Sequence, residues 1–363
     1  MELNPFTNLT KSIEETQIVN NKSRIRHLSS IVQGVISGRS VLFSEIAHHI
    51  DHDIQESSKE RRIQDFFQKS KFNYDQLCLF LLSFIPKEKL TLSIDRTEWD
   101  FGKTQINILS VFVQIGKMGI PLHFEMLDNN SGNSNYEDRI DLIDRIITLI
   151  GIDRIDVIVM DREFIGHKWL RWLKDKQIPF CVRVPKHHKL ITSCGMKLTA
   201  SELVKQKKNT YLEDTIVDTV SVNASISKDK KGELLYLVGT VSAKELTKIY
   251  KKRWSIEVFF QATKSRGFNM EKSCLRCLEK YKKLFAIISI AYTICWTVGI
   301  EIAKKNPSKQ KKHGYPQNSV LRRGLNHIRK LLKNKILQTL DYTIEAVMKS
   351  ILLKYRRMPK IVG

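Results

Sequence analysis

Hydrophobic spacing separates a helical start of the chain from a strand-rich middle. Over roughly the first 85 residues, apolar side chains recur three and four positions apart, as in SRIRHLSSIVQGVIS (23–37); this is the spacing of one helix face. After Pro86 the period becomes the two-residue alternation of strands, in LTLSIDRTEW (90–99), NILSVFVQIG (107–116) and IPLHFEML (120–127). We therefore predict N-terminal helices followed by a three-stranded meander.

Helices and strands alternate after the meander. The stretch EDRIDLIDRIITLI (137–150) has the spacing of an amphipathic helix, and DVIVMD (156–161) contains the continuous apolar run of a strand buried on both faces. A helix containing Trp169 and Trp172 leads to a fifth strand, PFCVRVPK. The order β-β-β-α-β-α-β, with a further helix later in the chain, is that of the ribonuclease H fold.

Residues 187–241 are strand-like and polar, and Lys230, Lys231 and Gly232 are placed at a hairpin tip. We interpret this region as a β insertion before the last catalytic helix of an α/β, ribonuclease H-like core. The predicted domains are an N-terminal helical domain expected to bind DNA (1–87), the first part of the core (88–186), the insertion (187–243), completing core helices (244–303) and a basic C-terminal helical region (304–363). A plain helical cap is the alternative for the first domain.

The chain is strongly basic. It carries 61 Lys and Arg against 38 Asp and Glu, a formal net charge of +23, which favours a polyanionic partner, nucleic acid first. Residues 304–363 contain 16 Lys and Arg and two acids, a net charge of +14. A solvated basic tail is one interpretation; apolar periodicity in LNHIRKLLKNKILQTL favours helices with basic faces.

One apolar segment bears on the location of the protein. Residues 284–300 form 17 consecutive uncharged residues, near the lower limit for a membrane span. Because polar Ser, Thr, Cys and Tyr residues are scattered through it, we interpret it as a buried core helix and expect no membrane partner. Six cysteines at irregular spacings, with no signal peptide before them, are typical of a reduced cytosol. We expect a cytoplasmic, nucleoid-associated protein.

Three carboxylates are the candidate chemistry. Asp95 lies within the first strand, Asp161 ends the buried fourth strand, and Glu257 lies on a later helix. If the first and fourth strands are neighbours, as this fold requires, the three acids converge. They would raise each other's pKa unless cations lay between them. The trio therefore predicts two Mg²⁺ ions, with Mn²⁺ as a substitute, in phosphoryl transfer.

Taken singly, each of these acids is more often a surface or capping group. Their positions on three specific elements of one fold favour catalysis instead. Glu163, Asp138 and Asp141 have the same chemistry, but we interpret them as carboxylates near a helix start or on a solvated helix face.

Glu257 lies in the stretch YKKRWSIEVFFQATKS (250–265), which is otherwise basic and aromatic. At about 100° per residue, Tyr250, Arg253, Glu257 and Lys264 share one narrow face of a regular helix. We predict that Tyr250, Arg253 and Lys264 bind DNA phosphate beside the acid. An apolar stripe projects elsewhere to pack on a core, formed by Ile256, Phe259 and Phe260.

The spacing Tyr, two residues, Arg, three residues, Glu, six residues, Lys resembles the YREK signature of DDE insertion-sequence transposases of the insertion-sequence-four family. SIDRTEWDFG and VIVMDREFIGHKWL resemble its two Asp motifs. The resemblance covers about residues 88 to 300. It implies cut-and-paste transposition: a nick at the element end, a hairpin, hairpin opening and joining to target DNA. The implied partners are double-stranded DNA with terminal inverted repeats, target DNA and a second copy in a homodimeric synaptic complex.

The sequence departs from that family in its insertion. Family members carry an aromatic residue there, often Trp, that stacks on a flipped base, whereas none of the five Trp lies within 187–241. Tyr211 or Tyr236 is the replacement considered. Two other functions remain open: a ribonuclease H-fold nuclease that only hydrolyses DNA, and a domesticated, non-transposing DNA-binding protein.

Overall fold

The structure, a computed structural model, describes residues 13–19, 21–50, 54–86, 88–101, 104–127, 133–204, 209–228, 232–308, 310–312 and 316–333. Residues 334–363 of the basic C-terminal region, and Lys230 and Lys231 of the predicted hairpin tip, lie outside them. The chain divides into two compact units. The helical unit comprises Met1–Pro86, Trp99–Ile106 and Phe260–Gly363, and the sheet unit comprises Lys87–Glu98 and Asn107–Phe259.

The predicted N-terminal helices are present. Asn21 and Asn73 cap the first and fourth of them by accepting backbone N–H bonds with their side chains, which satisfies donors that a helix start leaves unpaired. The apolar residues at three and four spacings are the buried ones, such as Leu28, Ile31 and Val35. The helices are α1 (Lys22–Gly38), α2 (Phe43–His48), α3 (Glu56–Lys69) and α4 (Tyr74–Leu82).

The strands of the described residues form one ten-stranded sheet in the order β3-β2-β1-β4-β5-β10-β9-β8-β6-β7. The predicted meander is confirmed as its first three strands. The strands are β1 (Leu90–Phe101), β2 (Thr104–Ile115), β3 (Met118–Met126), β4 (Ile155–Met160), β5 (Phe180–Arg183), β6 (Lys189–Ile191), β7 (Lys197–Thr199), β8 (Asn209–Val217), β9 (Val220–Lys228) and β10 (Leu234–Gly239).

Strands β1 and β4 lie side by side and parallel, as predicted. Their register ends with Ile94 opposite Met160, so Asp95 and Asp161 each follow the last paired residue. Adjacent strands are about 4.8 Å apart, and the carboxyl ends of parallel strands meet at one sheet edge. The register therefore makes the two aspartates neighbours.

The strands within the predicted insertion belong to the same sheet as the core strands. Its last strand, β10, pairs antiparallel with β5, with Gly239 opposite Cys181. This pairing continues the sheet and satisfies the backbone groups that β5 would expose as an edge strand. Gly239 is required because a Cβ there would overlap the carbonyl oxygen of Phe180. The strands of the predicted β insertion (187–243) therefore extend the central sheet.

The sheet unit contains α5 (Tyr136–Ile150), α6 (His167–Asp175), α7 (Ala200–Leu203) and α8 (Ala243–Tyr250), and α9 (Trp254–Gln261) begins in it. The regular helix predicted over 250–265 is wrong, because α8 ends at Tyr250, a 3₁₀ turn spans Lys251–Arg253, and a π-helical turn spans Ala262–Arg266. The orientation of α9 is set by the packing of Ile256 and Phe259 into the core. It does not follow from a uniform advance of about 100° per residue along residues 250–265.

The helical unit is completed by α10 (Leu278–Lys305) and α11 (Val320–Lys333). By length and composition α10 is the one described helix able to cross a membrane, but 78% of its most apolar window is buried inside the protein. Helices α1, α3 and α4 pack against it. This agrees with its interpretation as a core helix.

Candidate active site

Asp95 is a buried carboxylate near the end of the paired part of β1. Its Oδ1 accepts a hydrogen bond from the backbone N–H of Arg96 at 3.0 Å. Burial raises the pKa of Asp95 to about 6, against the opposing charge of Arg253, and the charges of Glu163 and Asp161 add to the rise. A carboxylate in this environment gains from any cation brought close to it.

Asp161 occupies the turn directly after β4. Its Oδ1 accepts from the backbone N–H of Arg162 at 2.8 Å and from the hydroxyl of Tyr250 at 3.1 Å. Tyr250 ends α8 and packs against a core cluster of Cys181, Leu237 and Leu246. Burial and the charge of Asp161 raise the pKa of the Tyr250 hydroxyl, which therefore remains a proton donor at neutral pH.

Arg253 joins all three predicted catalytic acids. Its Nη2 lies 3.3 Å from Asp95 Oδ2 and 3.1 Å from Asp161 Oδ2, and its Nη1 lies 3.4 Å from Glu257 Oε1. The side chain is only 12% exposed. Burial acts to lower the pKa of Arg253, but the charges of Asp95 and Asp161 outweigh it and the pKa is raised.

Glu257 is presented by α9, whose other side is fixed in the core. Ile256 and Phe259 are fully buried, and the ring of Phe259 meets that of Phe112 edge to face at 5.2 Å. Phe112 lies on β2, so this face of α9 packs against the sheet. Glu257 is left partly exposed on the side of Arg253.

The geometry thus gathers three carboxylates, from β1, from the turn after β4 and from α9, around one guanidinium. One positive charge faces three negative charges, which leaves an excess of two. Such a set can bind a further cation, and it provides oxygen ligands on several sides of a reacting phosphate.

A protein-family model, the transposase DDE domain, matches residues 86–294, more than half of the chain. The chain belongs to this family. All three acids, with Tyr250, Arg253 and Lys264, lie within the matched residues of this transposase. No curated protein matches the chain. Among solved structures, the chain is similar to a piggyBac transposase in a synaptic complex with hairpin DNA, determined by cryo-EM, at 11% sequence identity and a TM-score of 0.46, over 94% of this chain and 77% of that one.

Transposase DDE domains use divalent metal ions, and the donor chemistry of this site fits one. Carboxylate oxygens are the ligands that Mg²⁺ and Mn²⁺ prefer, and a cation, the Arg253 guanidinium, already lies between three of them. Within the described ranges, no three His, Cys, Asp or Glu side chains are arranged to hold a metal as they stand. Arg253 occupies the position that the carboxylates share.

Lys264, the fourth residue of the predicted phosphate-binding set, lies in the π-helical turn after α9 and belongs to the helical unit. Its Nζ is 3.5 Å from Glu271 Oε1 and 5.9 Å from the centre of the Phe260 ring. Its role in binding phosphate stays a prediction.

Trp254 is an exposed aromatic residue that was not predicted from the sequence as part of the site. This indole is 63% exposed and stands at the start of α9, next to Arg253. Of the two tyrosines considered for base stacking, Tyr236 is 1% exposed within β10, so its ring is not presented to a base, whereas Tyr211 is 45% exposed. Helical position could have indicated Trp254, because it projects away from the buried face formed by Ile256 and Phe259.

The other three acids have different environments. Asp138 forms a capping box with Asn135 at the start of α5, and Asp141 is exposed on that helix, so both interpretations are confirmed. Glu163 does lie in a 3₁₀ turn, but its side chain is only 23% exposed and bonds to Arg96. The interpretation of Glu163 as a simple helix-start carboxylate is therefore incomplete.

Proposed function

We propose that this chain is an insertion-sequence transposase that cleaves DNA at the ends of its element and joins those ends to target DNA by a cut-and-paste reaction. The observation that carries the proposal is the contact of Arg253 with Asp95, Asp161 and Glu257. Three acids from separate elements face one point inside a transposase DDE domain. The strand order β3-β2-β1-β4-β5, with β4 parallel to both its neighbours, supports a ribonuclease H-like core.

Asp95, Asp161 and Glu257 are the residues that would hold divalent metal, two Mg²⁺ ions with Mn²⁺ as a substitute. When bound, such ions polarise the phosphate and activate the attacking oxygen of an in-line phosphoryl transfer. The chain's own contribution is to present the three acids from a rigid sheet edge and a core-packed helix, a placement that favours accurate positioning.

Tyr250 and Arg253 are proposed to hold the phosphate beside the cut. A guanidinium can donate two parallel hydrogen bonds to one phosphate, and the Tyr250 hydroxyl is a donor from the neighbouring turn. Lys264 is proposed to bind DNA phosphate as a point charge. The proposed partners are double-stranded DNA with terminal inverted repeats, target DNA and a second copy of this chain in a synaptic complex.

A second DNA-binding surface is proposed on the helical unit. Arg322 and Arg329 lie seven residues apart on α11 and therefore share a helix face. Arg329 donates from Nε to the carbonyl of Ser37 at 2.9 Å, which brings that face to the end of α1, where Arg39 is the capping residue. Burial lowers the pKa of Arg39, and so do the charges of Arg322 and Arg329. A cluster of arginines suits backbone phosphates.

The proposal is tested with purified protein, Mg²⁺ and DNA carrying an element end. Asp95→Asn, Asp161→Asn and Glu257→Gln are each expected to reduce nicking to background while DNA binding stays within about twofold, since affinity comes from Lys and Arg. Asp144→Asn, which breaks an exposed pair with Lys176, is the control and should nick normally. Full-rate nicking by any of the three variants would remove that residue from the site, and nicks without hairpin or joined products would favour the hydrolytic nuclease.

A further inference from the structure

Two residues next to the catalytic aspartates are bonded to each other. Arg96 directly follows Asp95, and Glu163 comes two residues after Asp161. Arg96 donates from Nε to Glu163 Oε2 at 3.2 Å, and its Nη2 lies 3.1 Å from the same oxygen. This ion pair therefore links strand β1, which carries Asp95, to the turn after β4, which carries Asp161.

The pair is enclosed by further bonds that hold each partner. Arg96 is 9% exposed and also donates from Nη1 to Glu98 at 2.5 Å and to Asn107 at 3.4 Å. Arg139 donates from Nη2 to the backbone carbonyl of Glu163 at 3.2 Å. The pair is thus constrained by Glu98 on the same strand and by residues of two other elements, Asn107 on β2 and Arg139 on α5, an arrangement with little freedom to adopt another geometry.

Stability alone is a weak explanation for such a pair. Desolvation of two charges consumes most of their attraction, so buried ion pairs often stabilise a fold no more than apolar residues of the same volume. They can, however, select one geometry among several. Arg96 does not neutralise the catalytic trio, since its own bonds go to Glu98 and Glu163, and Arg253 is the cation that contacts the trio.

We propose that Arg96 and Glu163 form a positioning pair that sets the separation of the Asp95 and Asp161 carboxylates and so determines how tightly the site binds divalent metal. The inference rests on the proposed function, in which those carboxylates are metal ligands. Neither Arg96 nor Glu163 touches metal or DNA in this role. They act through the aspartates next to them, as residues that orient metal ligands do.

The test uses the full chain without DNA and measures Mn²⁺ binding by electron paramagnetic resonance, together with thermal unfolding. Glu163→Leu removes the bond to Arg96, whereas Glu163→Gln removes the charge but keeps an oxygen that can accept from Arg96. Arg96 retains Glu98 as a partner in both, so both variants should fold. We expect Glu163→Leu to bind Mn²⁺ about 10- to 100-fold more weakly, the usual effect of losing an orienting partner, and Glu163→Gln to stay within about threefold of wild type. Asp144→Asn should bind Mn²⁺ like the wild type.

The other outcomes of these measurements distinguish the positioning role of Glu163 from the metal site itself. Folded Glu163→Leu with wild-type Mn²⁺ affinity would overturn the positioning role. Equal weakening in the Gln and Leu variants would also overturn it, because charge rather than geometry would then be responsible. If Asp95→Asn abolishes Mn²⁺ binding in the same assay, the proposed metal site stands whatever the Glu163 variants do. If neither the wild-type chain nor Arg253→Ala, which removes the competing guanidinium, binds Mn²⁺, the proposed metal site is overturned, and this inference with it.

Discussion

Arg253 Nη2 lies 3.1 Å from Asp161 Oδ2, so a residue predicted to bind DNA phosphate is bonded to a residue predicted to bind metal. The same guanidinium cannot keep this contact and also grip a phosphate with both of its donor edges. Arg253 and a divalent ion therefore compete for the carboxylates until DNA supplies the arginine with another partner.

Removal of Arg253 is expected to strengthen metal binding in the absence of DNA. Arg253→Ala takes away a cation bonded to all three acids, so Mn²⁺ should bind several-fold more tightly, whereas Arg253→Lys keeps the charge and should stay nearer to wild type. Electron paramagnetic resonance titration measures both. Weaker Mn²⁺ binding by folded Arg253→Ala would contradict the competition.

The residues proposed to bind phosphate are expected to matter most after the first nick. A nick needs the metals and water, whereas the hairpin needs a 3′-hydroxyl held against the opposite strand, and misplacement by about 1 Å can cost on the order of a hundredfold in rate. Arg253→Ala and Lys264→Ala should therefore slow hairpin formation more than nicking, and Glu257→Gln should stop both. Single-turnover products separated on gels report each step. Equal losses of the two steps in the Arg253 and Lys264 variants would count against this division.

Trp254 is expected to stack on a base displaced near the cleaved end. Base-aromatic stacking contributes about 1 to 3 kcal/mol by alanine substitution, so Trp254→Ala should reduce hairpin formation by about tenfold, with Trp254→Phe much less affected. Fluorescence of 2-aminopurine beside the cleavage position should rise on binding to wild type and rise less with Trp254→Ala. The same fluorescence change in Trp254→Ala and wild type would rule this role out, and Tyr211→Ala then tests the exposed tyrosine.

The arginines of the helical unit are expected to account for part of the salt dependence of DNA binding. Removing one side chain that neutralises a phosphate should reduce the slope of log K against log salt concentration by about 1. The double variant Arg39→Gln, Arg322→Gln should therefore show a slope smaller by about 2. Lys304→Gln is the control, because Glu301 already pairs with Lys304 at 2.9 Å. An unchanged slope in the double variant would show that other residues neutralise the DNA phosphates.

The crossing of α10 and α11 depends on two glycines. A Cβ at Gly324 would overlap the carbonyl oxygen of Cys295, and one at Gly299 would overlap that of Val320. Gly324→Ala should therefore lower the free energy of unfolding by about 1 to 3 kcal/mol or more, as overpacking does. Asn326→Ala, at an exposed position of the same helix, should have little effect. Chemical denaturation measures both, and equal stability of the two variants would show that the helices separate without cost.

The sequence by itself determined much of the framework. Apolar spacing predicted the helices and strands because each element must bury one face. The residues of that face recur along the chain with the repeat of a helix or of a strand. The buried run before Asp161, and the order of elements, were enough to predict that β1 and β4 are neighbours. Residue type and spacing, the predicted order of elements and the resemblance to a transposase signature together identified Asp95, Asp161, Arg253 and Glu257 as candidates.

Only the tertiary structure decided how those residues meet. The break between α8 and α9, the contact of Arg253 with three acids, the Arg96–Glu163 pair and the pairing of β10 with β5 all join positions whose separation along the chain carries no periodic signal. Their geometry depends on strand register and on which side chains fill the core between elements, such as Phe259 against Phe112. Local periodicity predicts which face is buried, whereas packing between distant segments determines which polar groups end within bonding distance.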